Sequence, residues 1–487
     1  MLASEVMGET ARNLEYSAFR SMASYSVFSG GMNLSELVTG DDVESEEPEL
    51  DDAEAGDTKL DEAEVDDPAS SDSQEERSAE LDRLLSDHLV TMMYQPITSL
   101  LDDSVVGYEA LARGPEDSPL AAPADMFATA EGDGRLKELD LLCQNQAVVQ
   151  ARDVLLKSGH ALFVNIESSV LVDAALGRDP DAAESVSSLL ANITAACPVV
   201  LEVSERYAYE SPADLLAVTG WARAQGFRVA LDDVDVGSSS LAILPLIEPD
   251  VIKLARGILS ATPDADLGLL LRVVRGQSER TGAAVVCQGI ESDHDRELAL
   301  SFGATHVQGF AVGHPEELSE APIRIRSLEP VGASWGEPCA TPFELVANSS
   351  QIRTGNEELL LALTLDLERQ AADHEHACLL SCFEHTVTAP AEVDDRYQRL
   401  AESVDFVVAL GQDLGTRNGI FHGPIEPTDA LCGERSVVVL TPQFSAALLA
   451  RVAGGDERDR RYAFALVYDR GQVTRAARLL MSYIEVD

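Results

Sequence analysis

From about residue 90 to 328 the chain alternates short, β-rich apolar runs with longer stretches of helical periodicity. The runs occupy 104–113, 161–168, 199–205, 228–234, 251–254, 283–291 and 306–312. Segments such as 212–225 and 265–280 lie between them, with the length and apolar spacing of helices. Strands that alternate with helices predict a parallel sheet. Seven such runs over this span fit a TIM-type (β/α)8 barrel better than an open doubly wound sheet. No Gly-rich turn follows the first run, so the dinucleotide-binding fingerprint is missing as well. Order is predicted to begin near Ala79, where Leu81, Leu84, Leu85 and Leu89 recur at helical spacing.

The pattern stops in a Pro- and Gly-containing linker, 329–342, and a second pattern fills 343–487. Helices are predicted near 357–373, 394–403, 442–453 and 473–484, with strands at 377–385, 406–410, 436–441 and 462–468. The fold class is therefore α/β: a barrel over 81–328, then a smaller α+β domain. Ahead of both, 41–67 holds 15 acids in 27 positions and no aromatic. Such a stretch cannot bury enough apolar surface to order itself, so 1–80 reads as an acidic, largely disordered leader.

Charge narrows the function. Lys plus Arg is 35 against 85 Asp plus Glu, a net charge of −50. The stretch 41–80 supplies only −17 of it, leaving −33 for the rest of the chain. A field of that sign repels phosphate backbones and argues against nucleic-acid binding. Only Lys59, Lys137, Lys157 and Lys253 occur beside 31 Arg. Acid excess with few lysines is the pattern of a halophilic protein, in which salt relieves self-repulsion; an acidic, GC-rich lineage gives the same composition. No apolar run reaches the roughly 18 residues of a membrane span, and no basic-then-apolar start marks a signal peptide. Seven scattered Cys fit reduced thiols, so a cytoplasmic location is expected. Cys378 and Cys382 read as small apolar residues on a buried face.

In a (β/α)8 barrel the functional side chains stand at the C-terminal ends of the strands. Those ends carry Glu109, Asn165, Glu202, Asp232 with Asp233, Lys253, Gln288 and Gln308. Carboxylates, an amide and a lysine on one rim suit a hard, oxygen-preferring cation, Mg²⁺ or Mn²⁺. Water held there could attack a phosphodiester. Singly each residue is weak, since Glu109 reads equally as a strand end and Asp232–Asp233 as a turn or helix cap.

These blocks resemble the EAL domain, the cyclic-di-GMP phosphodiesterase barrel. Glu109-Ala110-Leu111 with Arg113 looks like its signature, and Tyr94-Gln95-Pro96-Ile97 like its opening strand. Asn165-Ile166, Glu202-Val203-Ser204-Glu205, Asp232-Asp233, Ile252-Lys253 and Gln308-Gly309-Phe310 follow in the family's order. The resemblance implies that Glu109, Asn165, Glu202 and Asp232 hold one metal, and that Asp232 bridges to a second shared with Asp233. It implies that Lys253 orients the attacking water, Arg113 grips a phosphate and Gln308 lines the site. Glu205 would brace the loop after Asp233, and the barrel would pair into a homodimer. Three positions depart from the family: Gln288 stands where a glutamate is usual, Asp235 replaces an aromatic, and Ala255 replaces an aspartate. Losing a charged ligand weakens the second metal site and points to impaired or absent hydrolysis.

The segment 343–487 resembles a DICT domain, a sensory module, through Phe343-Glu344-Leu345, the stretch 363–368, Arg396-Tyr397 and the strand around Val437. A tryptophan expected before that strand is absent. His374, His376 and His385 read as surface histidines rather than metal ligands. The expected protein is a signalling molecule whose barrel binds a cyclic dinucleotide with little or no turnover, coupled through its sensor to a partner protein. An active phosphodiesterase and a protein scaffold without nucleotide binding are the competing classes.

Overall fold

The structure is a computed structural model describing residues 68–166, 168–175, 178, 197–204, 212–237, 240–320, 339–349, 351–374, 376–384, 391–411, 419–455 and 460–484. Glu205, His385, the acidic stretch 41–67 and most of the linker lie outside these residues. Helix α1 (Pro68–Ser86) leads into the barrel. It starts well before Ala79, a correction to the predicted onset of order. Its first turns are polar, while Leu81, Leu84 and Leu85 supply the buried face.

Eight strands close the barrel in sequence order: β1 (Thr91–Ser99), β2 (Val105–Arg113), β3 (Ala161–Asn165), β4 (Val199–Ser204), β5 (Arg228–Val234), β6 (Val251–Leu254), β7 (Ala284–Cys287) and β8 (His306–Val307). The helices between them include α2 (Pro123–Gly132), α3 (Leu136–Ser158), α4 (Ser168–Ala175), α5 (Pro212–Ala224), α6 (Ser240–Ile247), α7 (Ala265–Thr281) and α8 (Asp293–Ser301). The barrel is not wholly parallel, because β1 runs antiparallel to both β2 and β8. Residues 100–104 join β1 to β2, and so short a link makes a hairpin rather than a crossover. Ile97, Val106, Phe163, Val200, Val251 and Val286 fill the barrel interior. That plug leaves the polar strand ends at one mouth.

Within this frame His306 of β8 is held neutral more firmly than a free imidazole. Burial pushes its imidazole down to about 4, with Asp102 pulling weakly the other way. The ordinary value is 6.5. Folding therefore favours the neutral ring, and its contribution is complete above 6.5 and lost as pH falls towards 4. His306→Gln is expected to remove ~1–3 kcal/mol of the acid-induced loss of stability, read as the difference between urea unfolding at pH 7 and pH 4.5.

The second domain is built on a seven-stranded sheet of order β12-β11-β10-β13-β14-β15-β9. In chain order these are β9 (Arg353–Asn356), β10 (Cys378–Cys382), β11 (Phe406–Leu410), β12 (Ile420–Gly423), β13 (Glu434–Leu440), β14 (Ser445–Gly454) and β15 (Arg461–Val467). Helices α9 (Glu357–Ala372), α10 (Ala391–Leu400) and α11 (Arg470–Met481) complete it. The segment 442–453, predicted as a helix, is strand β14. Its Ala- and Leu-rich run suits a helix locally, but pairing with β13 and β15 buries both of its faces. Alternate residues divide the sheet's contacts. Leu379, Val437, Val439 and Leu448 pack beneath α9, whereas Cys378, Leu380, Val438 and Leu449 join the core that continues into the barrel. The second domain and the barrel thus share one core within residues 66–487.

Cys378 and Cys382 are buried on β10, and burial pushes both thiols well above the ordinary value. That agrees with a packing role. His374 stacks on Phe444 and His376 faces Asp405 at 3.1 Å, so these two histidines do not converge.

Candidate functional site

Register brings the strand ends together. Asn165 of β3 stands opposite Glu202 of β4, and Ser204 of β4 opposite Asp232 of β5. Gln95 of β1 faces Glu109 of β2. The β5–β6 pairing is irregular between Leu231 and Val234, where Asp232 and Asp233 lie. Asp233 adopts a left-handed conformation, φ 57°, unusual for a residue other than glycine. The bulge turns these carboxylates out of the ladder and into the mouth.

Lys253 is the hub. It is fully buried, and its Nζ lies 2.6 Å from Glu202 Oε1, 3.1 Å from Glu109 Oε2 and 3.1 Å from Asp232 Oδ1. Asn165 Nδ2 donates to Glu109 Oε1 at 3.2 Å, and Gln308 Nε2 donates to Glu109 Oε2 at 2.6 Å. Gln308 also donates to Gln95 Oε1 at 3.1 Å, and Gln95 in turn donates to the Gly313 carbonyl. Gln288 Nε2 donates to Asp232 Oδ1 at 3.0 Å.

Electrostatics follows from this packing. Burial works against the Lys253 ammonium, but Glu109, Glu202 and Asp232 outweigh it and hold its pKa well above the ordinary value. Burial would raise Glu109; Lys253 and the Gln308 hydrogen bond overcome it and hold the carboxylate below the usual range. Glu202 goes the other way, raised by burial and then by the Glu109 charge, with Lys253 only partly offsetting them. Asp233 is raised by burial and by Asp232. The metal-free cluster thus favours the charge on Lys253 and works against the charge on Glu202.

Among the described residues, Glu109, Glu202 and Asp232 offer carboxylate oxygens that all lie within 4.8 Å of one another. Three carboxylates beside an amide make an all-oxygen donor set suited to a hard divalent cation. The raised Glu202 fits such a guest, because a bound cation supplies the positive charge that a proton otherwise provides.

Two cavities open beside the cluster. One, about 920 Å³, is lined by Glu109, Arg113, Arg256, Gln288, Gln308 and Phe310 among others. The other, about 580 Å³, is lined by Arg113, Asn165, Glu202, Asp232 and Asp233. Arg113 borders both. The loops after β7 and β8 are laced together, with Gln308 N–H donating to the Cys287 carbonyl and Ile290 N–H to the Gln308 carbonyl. Gly309 permits this approach, since a Cβ there would lie 2.2 Å from the Ile290 nitrogen.

The structure therefore gathers Glu109, Asn165, Glu202, Asp232, Asp233, Lys253, Gln288, Gln308 and Arg113 at one mouth. Asp235 and Ala255 line neither cavity. The Asp235 carboxylate accepts the Val236 N–H at 2.7 Å and its other oxygen faces Gly257. Ala255 donates its N–H to the Val234 carbonyl and caps the turn Arg256–Ser260. Sequence reasoning passed over Gln95 and Arg256. The first sits inside the opening-strand block and was legible there as a polar residue facing Glu109 once β1 is paired. Arg256, which is ion-paired to Glu291 and borders the larger cavity, carries no pattern that marks it.

Residues 78–315 match the EAL domain family. Over 253 residues the chain is 24% identical to the bifunctional diguanylate cyclase/cyclic di-GMP phosphodiesterase MucR of Pseudomonas aeruginosa, covering 51% of this chain and 36% of that protein. It is 28% identical over 244 residues to the uncharacterized EAL-domain containing protein YkuI of Bacillus subtilis, covering 49% and 58%. The chain spans less than two thirds of either relative. Among solved structures, the FimX EAL domain of Xanthomonas citri in complex with c-diGMP is similar at 20% identity and a TM-score of 0.46, covering 53% of this chain and 100% of that one. The helices of the described residues include none long and apolar enough to cross a membrane. With its eight-stranded barrel and the strand-end blocks in order, the segment 78–315 is an EAL domain.

Proposed function

We propose that this barrel recognises cyclic-di-GMP at a Mg²⁺- or Mn²⁺-dependent site with impaired hydrolysis, under the control of a DICT-like sensory domain. One observation carries the reading: a neutral amide, Gln288, is bound to Asp232 beside an otherwise complete carboxylate cluster around Lys253. Glu109, Asn165, Glu202 and Asp232 would hold one cation, and Asp232 with Asp233 a second. The metal would polarise the phosphodiester and acidify a water.

The chain's own groups do the rest. Arg113, at the border of both cavities, pairs with a phosphate oxygen, and Gln308 fixes the Glu109 carboxylate by its 2.6 Å hydrogen bond. Lys253 is held charged, so it cannot take the proton of an attacking water, and it can donate to that water only in exchange for one of its three carboxylate contacts. That proton has to leave through a carboxylate of the cluster. Glu202, Glu109 and Lys253 are shielded from solvent, which strengthens every interaction among them.

The intact carboxylates and Lys253 favour a second reading, a working phosphodiesterase that opens the ring to the linear dinucleotide. Calorimetric titration of cyclic-di-GMP into the protein in molar KCl with Mn²⁺, with assay for linear product, separates the two. Heat without product is the expected result, and heat with product selects the enzyme. Neither heat nor product would overturn both and leave a scaffold.

A further inference from the structure

Helix α6 (Ser240–Ile247) is the crossover between the strand that carries Asp232–Asp233 and the strand that carries Lys253. Its sequence after Ser240 is wholly apolar, and Leu241, Ala242, Ile243, Leu244, Leu246 and Ile247 are all buried. The outer helices of a barrel ordinarily keep one polar face for solvent, and a helix apolar all round is one covered on every side. Here the outer cover is the second domain, whose α11 packs on α6 and α5.

The contact is polar as well as apolar, and it falls at both ends of the helix. The Cys378 thiol of β10 donates to the Ala242 carbonyl at 3.0 Å. Arg478 of α11, itself nearly buried, donates from Nε to the Leu246 carbonyl at 2.8 Å and pairs with the Glu248 carboxylate at 3.0 Å. From the barrel side, Arg223 of α5 donates to the Ile247 and Glu248 carbonyls. Such donors meet a specific need. The last turn of a helix leaves carbonyls without intrahelical partners, and Pro245 removes one more N–H from so short a helix. Glu248 closes it in a left-handed conformation, φ 46°, unusual for a residue other than glycine.

We infer that the second domain sets the geometry of the metal-binding turn by gripping α6, with Arg478 as the positioning residue. The inference rests on the proposed metal-dependent site, but not on the identity of its nucleotide. Two connections lead from the grip to the site. In the chain α6 follows the end of β5, whose pairing is irregular between Leu231 and Val234, and beyond its other end Asp250 accepts the Val229 N–H of β5 and lies 3.8 Å from Arg223. A shift of α11 that withdraws Arg478 frees the end of α6 and loosens both β5 and the start of β6. A signal received by the second domain would reach the carboxylates by this route.

Hydrogen exchange on the full chain tests it, together with Mn²⁺ titration, for wild type, Arg478→Ala and Arg478→Lys. The alanine variant is expected to exchange about tenfold faster over 228–248, with protection over 91–113 unchanged, and to bind Mn²⁺ about tenfold more weakly. Lysine, which cannot reach a carbonyl and a carboxylate through one planar fork, should restore part of both. Faster exchange confined to α11 and α6, with 228–237 and Mn²⁺ affinity unchanged, would overturn the inference. So would faster exchange everywhere, because that is a general loss of stability. If Arg478→Ala does not fold, Cys378→Ala loosens the other end of the same helix and is read identically. Exchange and Mn²⁺ binding need no nucleotide, so a wild type that binds Mn²⁺ but not cyclic-di-GMP would sink the ligand reading alone.

Discussion

Gln288→Glu is expected to raise Mn²⁺-dependent opening of cyclic-di-GMP by about 10²–10³-fold, the size of effect seen when one preorganised charge-stabilising group is restored to a site. The amide now spends its N–H on Asp232 Oδ1 at 3.0 Å and brings no charge. A carboxylate in its place adds a ligand beside Asp232 and Asp233, where the second cation would be held. The same change should cost stability without metal, because it sets a further carboxylate against Asp232 in a site where Asp233 is already raised by burial and by that neighbour. Two readings follow from one variant: a faster rate in a linear-product assay and a larger thermal shift on adding Mn²⁺. If neither moves, the amide is not the lesion, and Asp235 and Ala255 become the substitutions to reverse.

Lys253→Met should have the largest effect on the protein itself. Removing the ammonium leaves Glu109, Glu202 and Asp232 facing one another in a site where the first two are almost wholly buried. Stranding buried charges in this way costs about 3–5 kcal/mol, measured by urea unfolding without metal at pH 7. Mn²⁺ should return much of that loss, since a cation among the carboxylates replaces the one removed. Lower pH should return part of it too, as the carboxyls take up protons in the lysine's stead. Nucleotide hydrolysis, where wild type shows any, should fall below detection. A methionine variant as stable as wild type in the absence of metal would mean that the ammonium is not what balances this cluster.

Much of the site was legible before any fold was drawn. Strand ends in a barrel converge whatever the sequence between them, so the polar residue closing each apolar run could be assigned to one mouth. That logic identified Glu109, Asn165, Glu202, Asp232, Lys253 and Gln308, and the structure brings them within contact of one another. It did not reveal that Lys253 lies at the centre, bonded to three carboxylates at once, since sequence order carries no distances. Nor did it separate Gln288, which touches Asp232, from Asp235 and Ala255, which sit beside the neighbouring turn.

The misreadings have a common cause. Strand β14 reads as a helix because Ala and Leu favour one, and only its two neighbouring strands override that preference. Helix α6 was not singled out in the sequence, although its lack of any polar face is a sign that something must cover it. The sequence by itself determined the order of the elements, the closed barrel and the chemical character of its mouth, because these follow from periodicity and from which residue ends each run. Tertiary structure alone decided that β1 runs against its neighbours, that Lys253 meets three carboxylates at once, and that the second domain lies against α6. Those depend on what packs opposite each face, and an apolar face specifies only that it will be buried, not by what.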